Sequence, residues 1–135
     1  DLYVIAIGTN DVRYRDEQIC SMTADEYIEN VNMLVEIIKE SNSNAEIVLL
    51  SPWTTLEIDA VSKLEHATKE MMIDSYSEAL KKYAEKEDLC YINQNKWLRD
   101  YFDKYNYRLY TKDGIHPIEG IGIELYSQAV LESSE

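Results

Sequence analysis

Two short stretches near opposite ends of the chain hold the residues best suited to chemistry. In Asp113-Gly114-Ile115-His116-Pro117, a carboxylate stands three residues before an imidazole. A turn of that length brings Asp113 to the Nδ1 of His116. It leaves Nε2 as the basic nitrogen and stabilises the imidazolium once a proton is taken up. An Asp that only caps the following helix would account for Asp113 and leave His116 without a role. In Gly8-Thr9-Asn10-Asp11, a side-chain amide and a carboxylate follow the unbroken apolar run Leu2–Ile7. If that run is a strand, both groups sit at its C-terminal end, where open α/β sheets place their ligands. The plainer reading is a Gly/Asn/Asp turn leaving a strand.

Taken together, GxND after a strand and DxxH before a last helix resemble the SGNH (GDSL-like) hydrolase family of esterases, lipases and carbohydrate deacetylases. Order, spacing and secondary-structure context all agree. The resemblance implies that Asn10 contributes to an oxyanion hole and that Asp113 and His116 belong to a catalytic triad. Gly8 would let the backbone turn tightly, and Asp11 would hold the loop by accepting backbone N–H groups, with no catalytic role. No metal or cofactor is implied. The substrate class implied is an O-acyl ester, such as an acetylated carbohydrate or a short-chain ester. The likeness covers nearly the whole chain, but as the later part of a family domain. The Gly-Asp-Ser motif that carries the nucleophile is absent, as is the second family motif, which supplies a Gly. Only Ser51 stands at a strand end near the expected site, and a nucleophile there would depart from the family. The expectation is therefore the C-terminal part of a serine ester hydrolase, with its nucleophile on a missing N-terminal segment and little activity by itself. The rival is a non-catalytic α/β binding module that kept the fold and lost the serine.

These residues need a scaffold, and the hydrophobic patterning supplies one. Leu2–Ile7 reads as a strand buried on both faces. Thr23-Ala24-Asp25-Glu26 is a capping box opening a helix to about Ser41, with Tyr27, Val31, Leu34 and Ile38 as its stripe, widened by Ile28, Val35 and Ile37. Glu46–Leu50 is a second strand, and Ser51-Pro52-Trp53 leaves it at the same sheet edge as Gly8. Ser62–Glu65 is another capping box, opening a helix to about Lys86. Leu89–Ile92 is a third, short strand. Asn93 or Asn95 caps a short helix carrying Trp97, Leu98, Tyr101, Phe102 and Tyr105. A last helix is predicted from about Ile118 to Leu131, begun by Pro117, with Ile121, Leu125 and Ala129 turned inward. This alternation predicts one α/β domain over residues 1–135, a three-layer α/β/α sandwich with a parallel sheet. The resemblance makes it flavodoxin-like, lacking its N-terminal strands.

Composition narrows the partners. There are 13 Lys+Arg against 26 Asp+Glu, a formal net charge of -13. That balance argues against nucleic acid and against anionic membrane surfaces. No apolar run approaches a membrane span. Cys20 and Cys90 form no disulfide framework, and Cys90 reads as a buried thiol. Asp11, Asp16 and Glu17 do not follow a known ligand spacing for a hard metal, so a solvated loop is the better reading. With the nucleophile strand of the family missing, Leu2–Ile7 becomes an apolar sheet edge. It is expected to pair with the missing segment or with a second copy.

Overall fold

A computed structural model describes residues 1–12, 22–53 and 64–134. The order of elements is β1 (Leu2–Ile5), α1 (Ala24–Ser41), β2 (Glu46–Leu50), α2 (His66–Glu87), β3 (Cys90–Ile92), α3 (Gln94–Phe102), a 3-10 turn (Tyr107–Leu109) and α4 (Ile121–Ser133). The strands form a parallel sheet in the order β1-β2-β3, with Val4 beside Val48 and Val48 beside Cys90. The α/β class with a parallel sheet is the one predicted. Among the described residues, no helix is long and apolar enough to cross a membrane.

Strand alternation divides the sheet into two faces. Ile47 and Leu49 of β2 are buried with Tyr27, Val31 and Val35 of α1 and with Ile73, Tyr76 and Leu80 of α2. Of the predicted α1 stripe, Tyr27, Val31 and Val35 are buried, whereas Leu34 and Ile37 are exposed. The capping box of Thr23 and Glu26 is formed reciprocally, so α1 begins where predicted. Leu98, Tyr126 and Ala129 make a second cluster between α3 and α4, with Trp53, Trp97 and Phe102 packed against it.

Several expectations are corrected. β1 is not buried on both faces: among the described residues its one hydrogen-bonded neighbour is β2, and Leu2 and Val4 are 63% and 55% exposed. A strand is covered on both sides only when neighbours and a second layer supply the cover. α2 begins at His66 behind Glu65, which makes no side-chain cap bond, and Ser62 lies outside the described residues. α4 starts three residues later than predicted. Pro117 pairs with Thr111 in an antiparallel bridge, and the Ile118 N–H donates to the Tyr110 carbonyl, so this stretch is extended rather than helical. The inward stripe of α4 becomes Gly122, Leu125, Tyr126 and Ala129, and Ile121 is half exposed. Gly122 is needed there, because a Cβ would collide with the Tyr110 carbonyl. Tyr105 falls beyond the end of α3 and is exposed. Cys90 is an exposed thiol, not a buried one, since it lies on the last strand of the sheet. Cys20, Asp16 and Glu17 lie outside the described residues.

Candidate active site

The turn after β1 is built around Gly8. Its φ of +114° lies where residues with a Cβ are strained, and a Cβ would come within 3.0 Å of the Tyr27 ring and 3.2 Å of Pro52. The Asp11 N–H donates to the Gly8 carbonyl at 3.1 Å and closes the turn. From below, the Tyr27 hydroxyl donates to the Ile7 carbonyl at 3.2 Å, and its ring stacks on Tyr76 at 4.5 Å. Burial, then the charge of Asp11, push the Tyr27 phenol above its ordinary range. Burial likewise raises the Asp11 carboxyl, against the pull of its own backbone N–H. Asn10 stands exposed at the tip.

The second motif is a local turn held by one carboxylate. Oδ1 of Asp113 accepts from the Ile115 N–H at 3.1 Å and the His116 N–H at 2.9 Å. Oδ2 lies 2.8 Å from His116 Nδ1. The loop is closed from outside by the Lys112 N–H donating to the His116 carbonyl and the Gly114 N–H donating to Thr111 Oγ1. Ile115 is its buried anchor. Desolvation raises the Asp113 pKa, but the two backbone N–H groups and the imidazole outweigh it, and the value falls to about 2. Asp113 therefore stays ionised wherever His116 would act as a base, and holds the ring with the Nδ1 proton in place.

Two residues that the sequence reading did not assign tie these turns together. Thr9 Oγ1 accepts from the Trp53 N–H at 3.1 Å and donates to the Trp53 carbonyl at 3.2 Å. The Trp53 indole N–H then donates to the Ile115 carbonyl at 3.2 Å, one residue before His116. The end of β1, the end of β2 and the DxxH turn are thus joined through one tryptophan. Sequence reasoning placed Trp53 at the sheet edge and gave it no hydrogen-bonding role. The signal for more was the position of Ser51-Pro52-Trp53 at the same sheet edge as Gly8. The result is a cavity of 420 Å³ lined by Gly8, Thr9, Asn10, Asp11, Trp53 and His116, among others. An imidazole and a side-chain amide lining one cavity are the groups that acyl transfer needs, in which a proton moves and an oxyanion develops. Ser51 has a different place. It is fully buried, and its Oγ accepts from the Asn95 N–H at 3.1 Å. Among the described residues, no three His, Cys, Asp or Glu side chains converge as metal ligands.

The model of the GDSL-like Lipase/Acylhydrolase family matches residues 1–119. No curated protein matches the chain. A candidate GDSL-like lipase from Parabacteroides merdae superimposes with a TM-score of 0.78 at 22% identity, over 98% of this chain and 59% of that one. The acetylxylan esterase Axe2 of Geobacillus stearothermophilus gives 0.71 at 22% identity, over 99% and 59%. An α/β hydrolase from the Lake Arreo metagenome gives 0.69 at 20% identity, again over 99% and 59%. This chain thus spans 59% of the length of each of these proteins, and at such identities the likeness is one of fold. With the family model matched over most of its length, the chain belongs to the GDSL-like Lipase/Acylhydrolase family, a family of ester hydrolases.

Proposed function

We propose that this chain is the base-bearing part of a serine ester hydrolase, with the nucleophile serine on a segment outside these 135 residues. The observation that carries the reading is the 2.8 Å contact between Asp113 Oδ2 and His116 Nδ1, on the rim of the cavity that Asn10 also lines. In this scheme His116 Nε2 takes the serine proton as Oγ attacks the acyl carbon. Asp113 stabilises the imidazolium, and the Asn10 amide donates to the oxyanion. The intermediate then expels the alcohol, protonated by His116, and water repeats the sequence on the acyl-enzyme. Substrates are O-acyl esters, such as acetylated carbohydrates or short-chain esters; the acetylxylan esterase among the matched structures supports the carbohydrate choice.

β1 provides a place for the serine-bearing segment. It is a sheet edge with an apolar, exposed outer face, and such edges accept a further strand. Pairing there sets the new strand's C-terminal end beside Gly8–Asp11. In the intact protein, His116→Ala should abolish p-nitrophenyl acetate turnover while leaving the fold unchanged by circular dichroism. The 135 residues alone should take no fluorophosphonate label, since Ser51 is buried. Near-normal turnover by His116→Ala, or a mapped Ser51 adduct, would overturn the assignment. Hydrogen exchange checks the pairing: the β1 amides that point away from β2 should be protected in the intact protein and exchange rapidly in a dilute sample of these residues alone, while those bonded to β2 stay protected in both.

A further inference from the structure

Trp53 lines a second cavity, of 460 Å³, to which Asn10, Asp113 and His116 contribute nothing. Its volume is in the range of roughly 300–1,000 Å³ that small-molecule sites occupy. Phe102, Tyr107 and Tyr126 add aromatic surface to that of Trp53, and Glu70 and Asp103 add carboxylates. Arg99 also lines it, but its charge is already matched: Nη1 is 2.7 Å from Asp74, Nε is 3.5 Å from Glu70, and Nη2 donates to the Glu70 carbonyl.

This lining selects by chemistry. His66 lines the cavity too, with Nε2 3.6 Å from Glu70, so an anion meets the Asp103 carboxylate and two basic groups that already face carboxylates, and gains little. An aliphatic chain would desolvate the Glu70 and Asp103 carboxylates around it without pairing them, which opposes its binding. A neutral ring with an apolar face and equatorial hydroxyls fits both components. Its C–H face packs on the aromatic rings, and its hydroxyls donate to carboxylate oxygens. We propose that this second cavity is a saccharide subsite, holding a sugar of the alcohol half of the ester while Trp53 divides it from the acyl-transfer cavity. The assignment rests on the ester hydrolase reading above and specifies which part of the substrate goes where.

The test is fluorine NMR on intact protein labelled with 5-fluorotryptophan, the Trp53 resonance being identified by its loss in Trp53→Phe. Titration with xylobiose and with cellobiose should shift that resonance saturably for at least one sugar, and octanoate should not. Asp103→Asn and Phe102→Ala should each weaken the sugar response at least fivefold. Absence of a saturable shift with both sugars, a saturable shift with octanoate, or an undiminished sugar response in both variants would overturn the proposal. p-Nitrophenyl acetate hydrolysis by the unsubstituted protein is scored alongside. Sugar binding without turnover would sink the hydrolase reading and leave the subsite standing.

Discussion

Replacing Asp113 by Asn tests the role of the DxxH turn with little disturbance of its shape. The carboxylate does two jobs with its two oxygens. Oδ1 accepts the Ile115 and His116 N–H groups, and Oδ2 faces His116 Nδ1 at 2.8 Å. Asn can keep only one of them. With its oxygen toward the two backbone donors, the turn survives, and the NH2 group is left facing Nδ1. That forces Nδ1 to accept and moves the ring proton to Nε2, where the base is needed. The opposite orientation would set NH2 against two N–H donors and forfeit both bonds, about 1 kcal/mol each. The variant should therefore fold and carry the wrong tautomer. In triad enzymes this loss is about 10⁴-fold in kcat, or about 5 kcal/mol of transition-state stabilisation. Two measurements check it: kcat on p-nitrophenyl acetate with intact protein, and imidazole ¹⁵N shifts, which report the protonated nitrogen independently of turnover. A folded Asp113→Asn protein that keeps its Nδ1 proton, or loses less than about tenfold in kcat, would refute the reasoning.

Two further outcomes follow from the same turns. Gly8→Ala places a Cβ at a φ of +114° and within 3.0 Å of Tyr27. Backbone strain of about 1–3 kcal/mol and crowding of similar size should lower the melting temperature by about 8 °C or more. A fall of less than about 2 °C by circular dichroism would show that the turn relaxes freely. The Asp113 carboxyl, followed by ¹³C NMR, should titrate near 2, below its ordinary 3.8. Because the folded value is the lower one, its contribution to stability is complete above 3.8 and disappears as pH falls through about 2. Asp113→Asn should remove that part of the acid dependence, and a midpoint at or above 3.8 would contradict the hydrogen bonds described.

What the sequence made legible was local. The capping box of α1 and the contact of Asp113 with His116 each lie within four residues, so residue type and spacing determine them. The parallel direction of the strands followed from the alternation of apolar runs with helical stripes. What was not legible depends on distant neighbours. Leu2 and Val4 have the composition of a covered strand, but cover is a property of what lies beside them. Pro117 had the look of a first helical residue until its bridge to Thr111 is seen. Thr9 and Trp53 are 44 residues apart, and no periodicity announces that one hydroxyl binds both the N–H and the carbonyl of the same residue.

The stacked pair Tyr27 and Tyr76 has a consequence for how this protein can diversify. One hydroxyl holds the Ile7 carbonyl before the turn, and the other holds the Met22 carbonyl at 2.6 Å, where the chain rejoins α1. Val12, at the near end, is fully buried. The two stems of the intervening stretch are therefore clamped to the helical layer independently of what is spliced between them. Changes of sequence between those two carbonyls are expected to leave the Gly8–Asp11 turn in place as long as both tyrosine hydroxyls hold their partners.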